Sequence, residues 1–76
     1  MNSTDVSREA AKRTERIAMV IAEAERVLGT ESVAKAWLHS PLKALDGDTP
    51  ISRLGTERGI ERVLEILSGV EHGVYV

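Results

Sequence analysis

The chain has 76 residues, enough for one small domain with a single hydrophobic core. Hydrophobic residues make up 42% of it and charged residues 29%, which excludes an intrinsically disordered chain, and the net charge of -2 disfavours binding to a polyanion. There is no cysteine, so disulfide and thiolate chemistry are excluded, and no apolar run reaches the ~20 residues that a membrane-spanning helix needs.

The first half of the sequence predicts two helices joined by a glycine. The first helix covers about Ser7 to Leu28, and Gly29 can end it because glycine adopts the left-handed conformation easily. Thr30 is a suitable N-cap for a second helix over Glu31 to His39, which ends before Pro41. Apolar side chains recur every three or four residues in these two helices, at Ile17, Val20, Ile21, Ala24, Val27, Leu28, Val33, Ala34, Trp37 and Leu38.

Turn-forming residues dominate the middle of the chain. Pro41 opens a short helical turn that runs to Leu45, and the sequence Asp46-Gly47-Asp48 forms a turn. Thr49-Pro50 predicts another short helix, because a capping residue is followed by proline at the first helical position. The chain therefore changes direction several times before its last helix.

A last helix is predicted from Glu57 to Leu67, with Gly69 as its stop. Its apolar stripe has the spacing i, i+3, i+4, i+7 and consists of Ile60, Val63, Leu64 and Leu67. The sequence Leu54-Gly55-Thr56-Glu57 repeats Leu28-Gly29-Thr30-Glu31, so we expect the same helix–glycine–helix joint to be built twice. The predicted fold class is all-α: three main helices packed around Trp37, one or two short helical turns, and an extended C-terminal tail.

Side chains with the chemistry of an enzyme or a metal site are scarce. His39 and His72 are far apart and have no cysteine partner, so surface or helix-capping roles are favoured over metal binding. Ser68 lacks the glycine-flanked elbow of a serine nucleophile, and carboxylates in a turn, such as Asp46 and Asp48, usually bond their own backbone. We therefore predict neither an enzyme nor a cofactor or metal site.

Three cations in the first helix are the candidate nucleic-acid contacts. Arg8, Lys12 and Arg16 are spaced four residues apart, so they line one edge of the helix and can reach phosphates. Glu9 and Glu15 weaken the positive field there, and a charged stripe is usually a solvated face. A small DNA-binding transcriptional regulator therefore stays an alternative, with direct DNA binding disfavoured for this chain alone.

The carboxyl end is unusually apolar, because it closes with Val74, Tyr75 and Val76. Two interpretations are open: the tail folds back on its own core, or it inserts into a partner with Gly73 as a hinge and Tyr75 as an anchor. A third alternative is a homo-oligomeric interaction module whose tails pair edge to edge.

An ordered set of residues resembles a known family, the toxin-binding domain of the Xre/MbcA/ParS antitoxins. The similarity covers about Ile17 to Val76, and the ordered set is more specific than any of its parts. The matching residues are Trp37-Leu38, Pro41, Leu45, Gly47-Asp48-Thr49-Pro50, Leu54-Gly55-Thr56, Gly59, Val63 and His72-Gly73-Val74-Tyr75.

The resemblance implies a bacterial, cytoplasmic type II antitoxin rather than an enzyme. In that family the toxin typically has the RES fold and consumes NAD+, and the antitoxin docks beside the toxin's pocket and blocks it with its carboxyl-terminal segment. The partners implied here are a RES-type toxin and, within the complex, further copies of the chain. The implied toxin-binding residues are Glu71, His72, Gly73, Val74, Tyr75 and Val76, and the implied structural residues are Trp37, Gly47, Pro50 and Gly59.

The resemblance also divides the chain. We expect a single domain over 1–76, with an N-terminal cap and the first part of the first helix at 1–16, a helical toxin-binding core at 17–70, and the tail at 71–76. Many family members carry an Xre-like DNA-binding domain ahead of this one, whereas only about one helix precedes the shared pattern here. A complete short antitoxin and one domain of a longer product both stay open, and autoregulation by direct DNA binding is in doubt.

Overall fold

A computed structural model describes the backbone of residues 3–73 and the side chains of residues 8–73. Every regular element in the described residues is helical, which confirms the predicted all-α class. The elements in chain order are α1 (Ser3–Leu28), α2 (Glu31–Leu38), a first 3-10 helix (Lys43–Leu45), a second 3-10 helix (Pro50–Arg53) and α3 (Glu57–Glu71).

The core lies between α1, α2 and α3 and is aliphatic. Residues three or four apart supply it on each helix, as the helical period predicts, because they share one face. Ile17, Leu28 and Trp37 are only partly buried at its edge, so the core is centred on aliphatic side chains and not on Trp37. The buried cluster consists of Val20, Ala24, Ala34, Leu54, Ile60, Val63 and Leu67.

Ile66 is buried although it lies outside the predicted stripe, whereas Leu64, which the stripe includes, is only partly buried. Ile66 follows Gly59 by seven residues, or two helical turns, so both lie on the same side of α3. The backbone of Arg53 approaches Gly59 closely, which turns this side of α3 towards the second 3-10 helix. The short helices therefore cover a second face of α3 that a single amphipathic stripe does not predict.

Helices α1 and α3 run side by side in the same direction. Arg16 Nε lies 2.7 Å from Glu57 Oε1 at the start of α3, and Arg26 Nη2 lies 2.6 Å from Glu71 Oε2 at its end. All side chains from residues 8 to 15 are exposed. The first half of α1 therefore extends beyond the packed body, which accounts for the 46 Å length of the molecule.

Two predicted helix boundaries are wrong. Helix α1 begins at Ser3 rather than Ser7, because extending a helix that is already formed needs no new nucleation. Helix α3 continues through Gly69, the predicted stop, and ends at Glu71. Glu71, the first residue of the predicted tail at 71–76, therefore belongs to α3. The last three residues of that tail, Val74, Tyr75 and Val76, lie outside the described residues.

The two Leu-Gly-Thr-Glu joints have the same N-cap hydrogen bond but differ in the backbone conformation of their glycine. Thr30 Oγ1 accepts from the Val33 N–H at 3.1 Å, and Thr56 Oγ1 accepts from the Gly59 N–H at 3.0 Å. Gly29 has a φ of 98°, whereas Gly55 is not among the residues with positive φ. The prediction of one joint built twice therefore holds only for its threonine.

The turn after the first 3-10 helix requires left-handed backbone. Asp46 has a φ of 57° and Gly47 a φ of 90°, and the Gly47 N–H donates to the Leu42 carbonyl at 2.9 Å. A Cβ added at Gly47 would meet no atom within 4 Å, so any cost of a side chain there comes from the backbone conformation alone.

We expect Gly47→Ala to lower the free energy of unfolding by about 1 kcal/mol, the usual cost of a left-handed alanine. Gly47→Asn should cost less, since asparagine visits this conformation more readily. Urea denaturation of the three chains measures both changes. Equal stability of the glycine and alanine forms would show that the turn relaxes to another conformation.

Candidate interaction site

The last turn of α3 is tied to α1 by a two-point ion pair. The Arg26 guanidinium donates from Nη1 to Glu71 Oε1 at 3.2 Å and from Nη2 to Glu71 Oε2 at 2.6 Å. The hydrogen bonds from Arg26 lower the pKa of Glu71 below its ordinary value, because they stabilise the charged form of the carboxylate. Glu71, the first of the six predicted toxin-binding residues, is therefore already paired with a side chain of its own chain.

The next two of these residues end the helix. The His72 N–H donates to the Ser68 carbonyl at 3.1 Å, and His72 Nδ1 lies 2.7 Å from the same oxygen. Gly73, with a φ of 78°, donates its N–H to the Val70 carbonyl at 3.2 Å, as expected of a left-handed residue after a helix C-cap. His72 and Gly73 thus fix the point at which the chain leaves α3.

His39 repeats this arrangement at the end of α2, where its Nδ1 lies 2.9 Å from the Lys35 carbonyl oxygen. The structure places both histidines of the chain at helix C-caps, as the capping interpretation predicts. Among the described residues, no group of three or more side chains is arranged to hold a metal ion. No helix in the same part of the chain is long and apolar enough to cross a membrane.

The four predicted structural residues lie at different depths. Pro50 is fully buried at the start of the second 3-10 helix, and Gly59 is buried in the first turn of α3. Gly47 is exposed in its turn, and Trp37 packs against the edge of the core. Among the side chains that the structure describes, the exposed larger apolar ones are Met19 at 61%, Val33 at 50% and Ile51 at 37%.

The candidate nucleic-acid residues are only partly brought together. Lys12 and Arg16 line a shallow groove of about 270 Å³ beside the start of α3, together with a third cation, Arg13, and the carboxylates of Glu9 and Glu57. Arg16 is ion-paired with Glu57, whereas Arg8 lies further out on the exposed part of α1. The carboxylates offset much of the positive charge, which weakens the nucleic-acid interpretation.

Sequence analysis missed a cavity of about 540 Å³ between the first 3-10 helix and the start of α3. Two arginines in its wall bind carbonyl groups of the first 3-10 helix. Arg53 Nη2 donates to the Leu45 carbonyl at 3.0 Å, and Arg62 Nη2 donates to the Ala44 carbonyl at 3.2 Å. The position of a backbone carbonyl at the end of a short turn is not visible in the pattern of side chains, so the sequence does not predict these contacts.

A comparison with protein families identifies the domain that this geometry belongs to. The model of the antitoxin Xre/MbcA/ParS C-terminal toxin-binding domain matches residues 23–73, from the second half of α1 to the turn after α3. No curated protein and no solved structure matches the chain. The match to the family covers more than half of the chain and includes the last part of α1, α2, both 3-10 helices and α3. The chain therefore belongs to the Xre/MbcA/ParS antitoxin family, and its helical body is a toxin-binding domain.

Proposed function

We propose that this antitoxin silences a RES-type, NAD-consuming toxin by steric occlusion. The helical body docks beside the toxin's active site, and the segment after Gly73, from Val74 to Val76, enters the substrate cleft. The observation that carries the proposal is the position of Gly73. It follows the rigid end of α3 directly, so the apolar residues after it start from a fixed point on a folded body.

A folded body reduces the free energy needed to order the inhibitor when a short inhibitory segment binds. Binding by a wholly disordered inhibitor loses the free energy needed to order its chain, whereas α1 to α3 are ordered beforehand. Exposed apolar side chains such as Met19 and Val33 offer the body its own contact area. Burial of the Tyr75 ring would then contribute roughly 2–4 kcal/mol before ordering costs.

The proposed setting is the bacterial cytoplasm, where NAD+ is available to the toxin and the antitoxin must meet it. Additional copies of the chain belong to the proposal only as members of the toxin complex. Direct DNA binding is not part of it, because two carboxylates, Glu9 and Glu57, offset most of the charge of the three cations in the groove beside Arg16.

The test is reconstitution with the protein encoded next to this chain. That protein alone should consume NAD+, and one equivalent of this chain should stop the consumption and co-purify with it. Undiminished NAD+ loss in the presence of the chain would contradict the proposal. A titration with duplex DNA over a range of salt concentrations serves as the control, since phosphate binding shows a steep salt dependence.

A further inference from the structure

The last turn of α3 has little intrinsic reason to be helical. Gly69 within it costs about 1 kcal/mol relative to alanine, which is why the sequence predicts a stop there. Ser68 and Glu71 are exposed, while Gly69 and Val70 are only partly buried, so core packing does little for this turn. Something outside α3 must therefore hold it.

Arg26 supplies that contact from a different helix. Its Nε donates to Glu23 Oε1 at 3.0 Å, which fixes the guanidinium on α1. The two Nη atoms then hold both oxygens of Glu71, which lies 45 residues further along the chain. A planar guanidinium that binds a carboxylate at two points fixes its direction as well as its distance.

The C-terminal segment depends on this turn. The N–H groups of His72 and Gly73 donate to the carbonyls of Ser68 and Val70, which are correctly placed only while the turn is helical. We propose that Arg26 is a positioning residue for the inhibitory segment: it holds Glu71, keeps the last turn of α3 formed and thereby sets the direction of the chain at Gly73, the residue before that segment. This inference rests on the proposed function.

The expected effect follows from the population of the binding-competent state. An ion pair between two solvent-exposed side chains contributes little, so the loss of Arg26 should lower the population of the formed turn, and with it the apparent affinity for the toxin, about two- to fivefold. The loss requires no contact between Arg26 and the toxin, because only the presentation of the segment changes.

The first measurement is amide hydrogen exchange in the isolated full chain. Arg26→Gln should speed the exchange of the His72 and Gly73 amides about two- to fivefold and leave Val63 and Leu67 protected, which shows that the fold persists. Lys35→Gln is the matched control, since it removes an exposed cation whose carboxylate partner, Glu31, lies on its own helix. Unchanged exchange at His72 and Gly73 in Arg26→Gln overturns the inference.

The second measurement is inhibition of the toxin encoded by the neighbouring reading frame. Arg26→Gln and Glu71→Gln should each weaken it about two- to fivefold, and the double variant should weaken it no more than either single change, because both changes break the same pair. Losses that add up in the double variant, or inhibition by Arg26→Gln equal to the parent's, overturn the positioning role. A chain without residues 74–76 separates the two ideas: if it inhibits fully, the proposed function fails; if it does not inhibit while Arg26→Gln does, the proposed function stands and only the positioning role is lost.

Discussion

Removal of Val74, Tyr75 and Val76 should weaken toxin binding by roughly 30- to 1,000-fold, since roughly 2–4 kcal/mol of tyrosine burial is lost and every 1.4 kcal/mol is tenfold. The sequence alone places this cut before Gly73. The structure moves it by one residue, because the Gly73 N–H bonds to the Val70 carbonyl and belongs to the end of α3. A truncation after Gly73 therefore keeps the whole described body.

Two measurements on the truncated chain decide between the interpretations of the tail. Circular dichroism should show unchanged helicity and a melting temperature within a few degrees of the parent's, while inhibition of the toxin is lost. Tyr75→Ala should reproduce most of the loss and Tyr75→Phe little of it, since phenylalanine keeps the ring. A truncated chain that unfolds, or that melts more than about 10 °C lower, would show that the tail covers its own core, as about 4–8 °C corresponds to each kcal/mol in a domain of this size.

The parts of the fold that the sequence predicts are those set by neighbours in the chain. Val63 and Leu67 recur at the helical period and are buried, and Thr30 and Thr56 cap the helices that follow them. The end of α3 is different, because the helix continues past Gly69 to Glu71, whose side chain is paired with a residue far away in the sequence. The partner of Glu71 is Arg26, and no pattern within α3 contains it.

The candidate site, too, has a part that the sequence predicts and a part that only the structure shows. The resemblance to the antitoxin family selects the segment from Glu71 onward, and the family match to residues 23–73 confirms the family. Which of these side chains are available to a partner depends on their contacts, and only the structure shows that Glu71 and His72 are used to end and anchor α3. The sequence does not distinguish these roles, because a glutamate and a histidine at the end of a helix suit both helix capping and contact with a partner.

Gly59 should be among the least replaceable residues of the body. A Cβ built on it would lie 2.7 Å from the carbonyl carbon of Arg53 and closer still to the attached oxygen, so the second 3-10 helix and the first turn of α3 would have to separate. The glycine also occupies the third position of α3, where a capping box would place glutamate, and the close backbone explains why no side chain is there. We expect Gly59→Ala to cost about 3 kcal/mol, the upper part of the usual range for overpacking.

That cost is a large share of the ~4–11 kcal/mol expected for a domain of this length, so the melting temperature should fall by about 10–25 °C. Gly55→Ala provides the matched control four residues earlier. A Cβ there meets no atom within 4 Å and the residue does not have a positive φ, so we expect a change within about 0.5 kcal/mol or a slight gain. Gly55 and Gly59 both belong to the pattern shared with the family, so the resemblance alone does not predict which of them is less replaceable. If thermal unfolding finds the two variants equally stable, the close approach of Arg53 to α3 is not maintained in solution, and the covered second face of α3 must be placed differently.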